Sequence, residues 1–407
     1  MNARSLYLFD DATARGWTPF ALTRPVGELL HGCFLQRGRW ERVAGAACGG
    51  HLCDPALVGF EEPGGPPVVT PADVPAQGER VVVSSRAVVE GRLPAGLTAP
   101  ATLVIGEEVV GWILPDGEPC PDDEALLDPS GRRDAGGERL GLEGRVLESP
   151  WDLMGANAER IAMDVRAFPG RSDTFLLRDV HVLGEGRVEL GDHVTVEPGV
   201  TLDARDGPVI LADRVVVQGP ARLTGPLYVG PDSVILGGSV GTSSIGRVCK
   251  VRGEIEATVV NAFCNKAHDG YMGHAVLGRW VNLGALTTNS DLKNNYSAVR
   301  LRLPGGDVDT GLLKVGCFLG DHVKTGIGTL LNTGTVVGSG ANLFGGRMPP
   351  TYVPPFSWGE GDELVEYRLD KFLEVAEAAM ARREVELSEG MRQVLTRAWE
   401  RSADERS

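Results

Sequence analysis

The strongest regularity in the chain is a mostly aliphatic residue that recurs every six positions, in three separate runs of its C-terminal half. The series runs through Leu190, Val196 and Leu202, then Leu211, Val217, Leu223, Val229 and Ile235, and finally Leu313, Leu319, Thr325, Leu331, Val337 and Leu343. An α-helix would repeat near 3.6 and a half-buried strand at 2, so a sustained period of six fits neither. It is typical of hexapeptide repeats, whose coils stack around a narrow core. We therefore predict a left-handed parallel β-helix over about residues 180–343.

The six-residue period is lost between about Cys249 and Val315. Interruptions of a solenoid are commonly loops that leave the coil, and binding residues concentrate in such loops. This interval is also the densest polar stretch of a half otherwise patterned for stacking. We expect the coil to be broken there and the functional site to lie in the break.

The N-terminal part has the alternating pattern of an α/β domain. Short apolar runs at 5–9, 80–89 and 103–114 predict strands, and the spacing after Pro25 predicts a helix from Val26. Residues 151–168 predict a helix that closes this domain. A proline-rich exit after residue 346 precedes two amphipathic helices, at 367–383 and 388–401. We predict three regions, 1–168, 169–346 and 347–407.

Composition and charge narrow the function classes. Glycine is frequent, at 55 of 407 residues, and aromatic residues make up only 6%, which suits tight turns and small stacked side chains. The net charge of −15 argues against nucleic acid as a partner. No apolar run is long enough for a signal peptide or a membrane span, so we expect a cytoplasmic protein. The seven cysteines are scattered, which predicts free thiols.

The polar stretch resembles a known family. His268, Tyr271 and Gly273, followed by Asn282, Gly284, Ala285 and Thr287 and then by Asn289, Asp291 and Lys293, are similar to the acetyltransferase motifs of the bifunctional glucosamine-1-phosphate acetyltransferase/N-acetylglucosamine-1-phosphate uridylyltransferase. The chain resembles still more closely the short alternative form of that enzyme. Those further matches are at 8–11, 22–25, 151–153, 290–294 and 354–359.

The resemblance implies an α/β nucleotidyltransferase-like domain, an all-β left-handed parallel β-helix that transfers acyl groups, and short C-terminal helices. It further implies acetyl-CoA as cosubstrate, held near Ala285 and Thr287. The amino-sugar phosphate would contact Tyr271, Asn282 and Lys293, with Asn289 and Asp291 beside them. One departure is Glu256, which stands where the family has a phosphate-binding lysine; Lys250 or Arg252 could replace it.

The chemistry also points to His268. Acylating a sugar amine needs a base for the amine proton, and histidine is the natural base near neutral pH. We predict His268 as that base, with Asp269 or a nearby carbonyl fixing its tautomer. A zinc site of His268, His274 and His322 is the alternative, but the spacing between the first two does not match known sites of that type. We therefore predict no metal here, and His322 as a surface turn residue.

The N-terminal domain lacks the glycine-rich phosphate loop of ordinary sugar-phosphate nucleotidyltransferases. The resemblance nevertheless implies that Arg24 contacts the phosphates of a nucleotide, and that Asp10 or Asp11 lies near Mg²⁺ if the domain is active. A degenerate domain that only binds or scaffolds is an equal alternative.

Together these features predict an acetyl-CoA-dependent N-acyltransferase for an amino-sugar phosphate of the glucosamine-1-phosphate type. It would be joined to a sugar-1-phosphate nucleotidyltransferase-like domain in the synthesis of nucleotide sugars such as UDP-N-acetylglucosamine. One alternative is a nucleotidyltransferase, using an NTP, whose β-helix only oligomerises. Another is a non-enzymatic scaffold that binds a nucleotide sugar. A β-helix of this type predicts a homotrimer.

Overall fold

The N-terminal domain is built on a six-stranded mixed sheet. The computed structural model describes residues 4–128, 136–170 and 178–406. The sheet order is Cys48–Leu52, Ser5–Phe9, Arg80–Ser84, Glu108–Leu114, Ala101–Ile105 and Glu138–Gly141. The first three strands are parallel, and Glu108–Leu114 is antiparallel to both of its neighbours. A second, two-stranded sheet pairs Ala87–Val89 with Gly144–Val146. The predicted α/β class is confirmed, and the strands predicted at 80–89 and 103–114 are each divided in two by a turn.

The helix predicted from Val26 is wrong in its first part. Val26–Glu28 forms a single 3₁₀ turn, Leu30–His31 pairs with Phe34–Leu35, and the helix itself is Gln36–Ala44. Side chains from distant parts of the chain bind the backbone amides of this segment: Asp10 accepts from Val26, Asn261 from Leu30 and Asp164 from Cys33. These tertiary hydrogen bonds take the place of the backbone hydrogen bonds of a helix. The helical spacing of apolar residues after Pro25 therefore does not produce a helix here.

The remaining helices of the chain are short or close to their predicted positions. In the N-terminal domain they are Ala12–Arg15, Asp123–Leu127, Asp152–Gly155 and Asn157–Asp164, with 3₁₀ turns at Pro55–Leu57, Pro71–Asp73 and Val165–Ala167. The C-terminal helices are Leu369–Ala381 and Glu389–Arg401, followed by the 3₁₀ turn Ala403–Glu405. Within the described residues, no helix is long and apolar enough to span a membrane.

The C-terminal half is a parallel β-helix, which confirms the predicted fold class. One face is a sheet of nine strands, one from each coil: Val188–Leu190, Val209–Leu211, Leu227–Val229, Ser244–Ile245, Val259–Val260, Val276–Leu277, Cys317–Leu319, Thr335–Val337 and Tyr352–Val353. We call this sheet face A.

A 14-stranded sheet forms the rest of the β-helix, with two rows of parallel strands to which many coils contribute two successive strands. Its strands are His181–Leu183, Thr195–Val196, Val200–Asp203, Val216–Val217, Ala221–Thr224, Val234–Gly241, Lys250–Glu256, Asn265–Lys266, Tyr271–Gly273, Asn282–Leu283, Lys324–Thr325, Asn342–Leu343, Ser357–Glu360 and Glu363–Glu366. Two further strands, Thr288–Asn289 and Leu330–Leu331, pair beside it. The last strand, Glu363–Glu366, runs antiparallel to Ser357–Glu360 and so closes the edge of the final coil.

The expected break in the coil is much shorter than predicted. The coil continues through residues 249–289, and only 290–316 leave it, carrying the hairpin Arg300–Leu303 with Gly306–Asp309. The six-residue period disappears earlier because the coils change length. The inward row of face A passes from Val229 to Ile245, Val260 and Leu277 in steps of 16, 15 and 17 residues rather than 18. Leu313, assigned to the repeat, is exposed on the excursion.

Face A is buried on both sides, and this fixes the position of the N-terminal domain. Alternate residues of a strand point to opposite sides of the sheet. The inward row joins the solenoid core, while an outward row packs against the N-terminal domain and the excursion. That outward row comprises Ile210, Tyr228, Val259, Val276, Phe318 and Val336.

The C-terminal helices pack along the β-helix rather than only over its end. Phe372 from the first helix contacts Phe356 and the ring of His322. The second helix lies against the 3₁₀ turn Pro55–Leu57 of the N-terminal domain. The two helices therefore help to hold the domains together.

Candidate active site

His268, the predicted base, lies on an exposed corner of the coil. It follows the strand Asn265–Lys266 and precedes Tyr271–Gly273. No hydrogen bond to its imidazole is present among the residues that the structure describes. Asp269 does not orient the ring as expected, because its carboxylate accepts a hydrogen bond from Nε of Arg252 at 2.9 Å. The role of His268 stays a prediction, and its ring is free to meet a ligand.

A buried lysine shapes the backbone below His268. Lys266 occupies an inward position, in register with Val251 of the previous coil. Its Nζ donates to the backbone carbonyl of His268 and, at 3.3 Å, to that of Arg252. Burial lowers the pKa of Lys266 to about 8. The pattern of the repeat did not single out this residue, since an aliphatic side chain is the norm at such a position.

The other end of the strand Tyr271–Gly273 carries a three-residue cluster. Nδ1 of His274 lies 2.7 Å from Oδ2 of Asp291, and the Tyr271 hydroxyl donates to the same oxygen at 2.7 Å. The side chains of His274 and Asp291 are 17% and 12% exposed. The predicted sugar ligands Tyr271 and Asp291 are thus brought together, but around His274 rather than His268. We call these three side chains the His274 cluster.

Small residues and one amide make the cluster possible. A Cβ on Gly273 would lie 2.1 Å from the Tyr271 hydroxyl, so only glycine lets the tyrosine fold back towards Asp291. Asn289 fixes Gly273 by accepting from its N–H and donating to its carbonyl, both at 2.9 Å. A Cβ on Gly316 would lie 1.9 Å from the Gly273 carbonyl. Asn289 is therefore a buried structural residue in this arrangement.

Electrostatics keep Asp291 ionised. The hydrogen bond from His274 lowers the pKa of Asp291 below its usual value, against the effect of burial, and the Tyr271 hydroxyl and Lys314 act in the same direction. Burial raises the pKa of Tyr271, and its hydrogen bond to the Asp291 carboxylate raises it further. Near neutral pH the tyrosine is therefore a neutral donor and Asp291 an acceptor.

The other predicted ligands lie on neighbouring coils. Asn282 is half-buried and its Oδ1 accepts from Nδ2 of Asn265 at 2.8 Å, so the two amides stack along the wall. Lys293 donates to the carbonyl of Ala298 at 2.8 Å and so closes the start of the excursion. Thr287 is buried, with its hydroxyl 2.7 Å from that of Thr325. Their roles as ligands stay predictions.

An apolar ridge runs beside the predicted CoA contacts Ala285 and Thr287. The carbonyl of Ala285 accepts from Gly328, which joins two adjacent coils. On these coils Leu286 is 57% exposed, Ile327 76% and Leu330 49%. The three exposed aliphatic side chains lie together on two adjacent coils, and grouped exposed apolar side chains of this kind mark binding surfaces. We call these three side chains the Leu286 ridge.

Acidic groups occupy the wall next to the His274 cluster. Glu254 and Glu256 are exposed on the preceding coil, in register with Tyr271 and Gly273. Of the two proposed replacements for the missing lysine, Arg252 is paired with Asp269, and Lys250 is exposed one coil away, in register with Asn265. The phosphate of a bound sugar would therefore have to lie away from Glu254 and Glu256, whose carboxylates repel it.

The predicted nucleotide residues have internal partners. Asp10 accepts from Ser85 and from the amide of Val26, while Asp11 caps the helix Ala12–Arg15 and pairs with Arg86. Both carboxyls are buried and their oxygens are in use, so they do not fit a magnesium ion in this arrangement.

Arg24 is likewise buried, between Asp321 at 2.7 Å and Glu62 at 2.9 Å. Its guanidinium therefore neutralises carboxylates at the domain interface rather than facing open solvent. The assignment of Arg24, Asp10 and Asp11 to a nucleotide stays a prediction.

His322 is not the surface residue that the sequence predicts. It does occupy a turn, with φ of +60°, but it is 3% exposed and stacks on Trp280. Burial lowers the pKa of His322 to about 3, so it is neutral at ordinary pH. Within 4–128, 136–170 and 178–406, no group of three or more His, Cys, Asp or Glu side chains is placed to hold a metal ion.

Sequence reasoning considered His274 only as a possible zinc ligand and missed its pairing with Asp291. Its partner Asp291 is 17 residues later, and Asn265 and Asn282, which are in register on adjacent coils, have the same separation. A separation of 17 residues, the length of one coil, could therefore have predicted the contact between His274 and Asp291. It was hidden because the coil was expected to be broken there.

The fold and the site define a class: a sugar-nucleotidyltransferase-like α/β domain joined to a hexapeptide β-helix with a histidine-bearing polar wall. Residues 6–172 match the family described as sugar nucleotidyl transferase. A segment of 95 residues, 23% of this chain, is 30% identical to a bifunctional sugar-1-phosphate nucleotidylyltransferase/acetyltransferase of Sulfurisphaera tokodaii and covers 24% of that protein. These matches agree with the resemblance drawn from the motifs.

A longer match is to the bifunctional protein GlmU of Methanococcus vannielii, which is 27% identical over 194 residues. It covers 47% of this chain and 40% of that protein, so the match spans less than half of the relative's length. Among solved structures, the UDP-N-acetylglucosamine acyltransferase of Arabidopsis covers 51% of this chain and 79% of its own, with 14% identity and a TM-score of 0.23.

Proposed function

We propose that the protein is a cytoplasmic transferase that moves an acyl group from a CoA thioester to the amine of an amino-sugar phosphate, in the synthesis of nucleotide sugars. The observation that carries this proposal is the polar wall at residues 265–291. There two histidines and the Asn282 amide keep exposed or half-exposed functional groups, near the three exposed aliphatic side chains of the Leu286 ridge. The bifunctional relative of Sulfurisphaera tokodaii, which is named for nucleotidylyl and acetyl transfer, supports the same chemistry.

The wall supplies what acyl transfer needs. The acceptor nitrogen must lose a proton as it attacks the thioester carbon, and His268 and His274 are both available as bases. The Leu286 ridge suits the uncharged pantetheine arm of CoA, since burying an exposed aliphatic side chain is favourable by about 1.5–3 kcal/mol at most. The amide of Asn282 and the hydroxyl of Tyr271 are neutral groups suited to sugar hydroxyls.

A direct activity assay tests the proposal. The full-length protein is incubated with acetyl-CoA and glucosamine 1-phosphate, glucosamine 6-phosphate or unphosphorylated glucosamine, and released thiol is measured. We expect thiol release with at least one amine and none with the matching N-acetylated sugars, which have no free amine. Absence of amine-dependent release with all three acceptors would refute acyl transfer to amino sugars of this type.

His268→Gln examines the base predicted from the sequence. If His268 is the base, turnover falls by roughly 10²–10⁴-fold, the usual span for a positioned acid–base group. Because the imidazole is exposed, the thermal unfolding of the variant should match that of the parent protein. Unchanged turnover would remove His268 from the role of base.

Nucleotidyl transfer is the second candidate function, and the family match over residues 6–172 favours it. The internal pairing of Asp10, Asp11 and Arg24 instead supports a domain that scaffolds the β-helix. Incubation with UTP and N-acetylglucosamine 1-phosphate, with and without Mg²⁺, distinguishes these functions. Release of pyrophosphate would identify a second active site, and no release would support the scaffold.

A further inference from the structure

The His274 cluster has the geometry of an oriented base. A carboxylate that accepts a hydrogen bond from Nδ1–H of a histidine fixes the tautomer and leaves the lone pair of Nε2 available. Asp291 does this for His274 at 2.7 Å. Among the described residues no hydrogen bond to Nε2 of His274 is present, and the side chain is 17% exposed, so a ligand can approach it. His268 has no such partner.

The backbone of the cluster is held by hydrogen bonds from the returning end of the excursion. Two consecutive coils contribute to the cluster, because His274 follows the strand Tyr271–Gly273 of one coil and Asp291 comes directly after the strand Thr288–Asn289 of the next. The backbone of each is then fixed by the end of the excursion: Gly316 N–H donates to the carbonyl of His274, and Val315 N–H to that of Asp291, both at 2.8 Å. A base held within a small range of geometry lowers the cost of reaching the transition state.

The groups around His274 favour a proton acceptor over a purely structural pair. Facing it are the Asp291 carboxylate and the Tyr271 hydroxyl, with Lys314 from the returning segment close to Asp291. Glu254 and Glu256 lie on the preceding coil, in register with Tyr271 and Gly273. Carboxylates outnumber the single lysine, so the wall attracts a cationic sugar ammonium and stabilises an imidazolium once it forms.

We propose that His274, oriented by Asp291, is the general base of the acyl transfer, and that Tyr271 helps to position Asp291. This inference rests on the proposed function. The sugar ammonium first loses one proton to solvent, which gives the free amine. Nε2 of His274 then takes a second proton from this nitrogen as its lone pair forms the C–N bond to the acyl carbon. The C–S bond breaks, its electron pair stays on sulfur, and the imidazolium returns the proton to give the free CoA thiol.

Three variants test the assignment in the full-length protein with the acetyl-CoA assay. His274→Gln removes the base, and we expect kcat to fall by roughly 10²–10⁴-fold with the pH-dependent rise in rate abolished. Asp291→Asn removes only the positioning charge. It should lower kcat by roughly 10-fold or more and move the rising limb of the pH profile to lower pH, because the imidazolium loses its carboxylate. A purely structural role would lower the rate without moving the limb.

His193→Gln is the matched control. Like His274, His193 is a corner histidine with positive φ, of +59°, but it is exposed and lies in an early coil. Its kcat and pH profile should equal those of the parent protein. Equal thermal unfolding of all the variants would exclude a folding defect.

The possible outcomes are distinct. If the parent protein shows no amine-dependent thiol release, the proposed function fails and the base assignment fails with it. A second outcome is an active parent protein in which His268→Gln abolishes the rise of kcat with pH while His274→Gln does not. That outcome would overturn only the assignment of His274 as the base. The proposal is supported if His274→Gln loses the rise of kcat with pH and Asp291→Asn shows that rise at lower pH.

Discussion

The ion pair between Arg24 and Asp321 gives a quantitative test of how the domains are joined. Both side chains are 1% exposed. Oδ2 of Asp321 accepts from Nε of Arg24 at 2.7 Å and from the Thr23 hydroxyl at 2.8 Å, while Oδ1 accepts from the amide of Arg279 at 2.8 Å. One carboxylate therefore satisfies groups from the N-terminal domain and from the β-helix.

Asp321→Ala removes all three acceptor contacts at once. Breaking a buried ion pair by deleting one partner typically costs about 3–5 kcal/mol, because the other charge is left buried. Glu62, which also pairs with Arg24, remains and compensates in part. We therefore expect the free energy of unfolding to fall by about 3 kcal/mol, the lower end of that range.

Urea unfolding followed by tryptophan fluorescence and by circular dichroism measures the change. Asp232→Ala is the matched control, since its partner Arg214 lies at 2.6 Å but both side chains are largely exposed, so the loss should be small. A double-mutant cycle with Arg24→Met measures the interaction between the two side chains. The losses of unfolding free energy in the two single variants should add up to at least about 1 kcal/mol more than the loss in the double variant. A loss for Asp321→Ala no larger than that of the control would refute the reasoning.

The effect should also depend on pH in a defined direction. Burial alone would raise the pKa of Asp321, but the charge and hydrogen bond of Arg24, with the Arg279 amide and Thr23, hold it below its usual value. A carboxyl whose pKa is lower in the folded protein stabilises the fold at pH values above its pKa in the unfolded chain, which is ~3.9. This stabilisation is lost as the pH falls from there through the pKa in the folded protein. The difference between the parent protein and Asp321→Ala should therefore shrink below about pH 4.

Two further predictions concern CoA and assembly. Leu286→Ser and Ile327→Ser should each raise KM for acetyl-CoA by roughly 5–10-fold with kcat nearly unchanged, because about 1 kcal/mol of apolar burial is lost on binding. An unchanged KM in both variants would exclude the Leu286 ridge as the CoA site. Light scattering should report a homotrimer at micromolar concentration, and a monomer with full acyl-transfer activity would show that one chain holds the entire site.

Much of the fold was predictable because the repeat is local. An inward aliphatic row at a fixed spacing is written into the sequence, and Leu211, Val217, Leu223, Val229 and Ile235 are all buried as expected. The C-terminal helices were also placed within about two residues, since an amphipathic period needs no distant partner.

The same reasoning failed where distant contacts decide. The helix predicted from Val26 is replaced by turns because Asp10, Asn261 and Asp164 bind its amides. Such side-chain acceptors come from positions 16 to 231 residues away, so no window of local sequence contains them. The coil at 249–289 was missed for a related reason: coils of 15 to 17 residues stack as well as coils of 18, but they destroy the period in the sequence.

The candidate site divides in the same way. The sequence by itself determined where the polar wall lies and that histidine, tyrosine and asparagine populate it, because these residue types interrupt an aliphatic pattern. Only the tertiary structure decided that Asp291 orients His274 and leaves His268 alone, and that Arg24 is neutralised between Asp321 and Glu62. A residue's type and spacing follow from the sequence, whereas the partner of a charged or titratable side chain depends on which coils and domains are packed together.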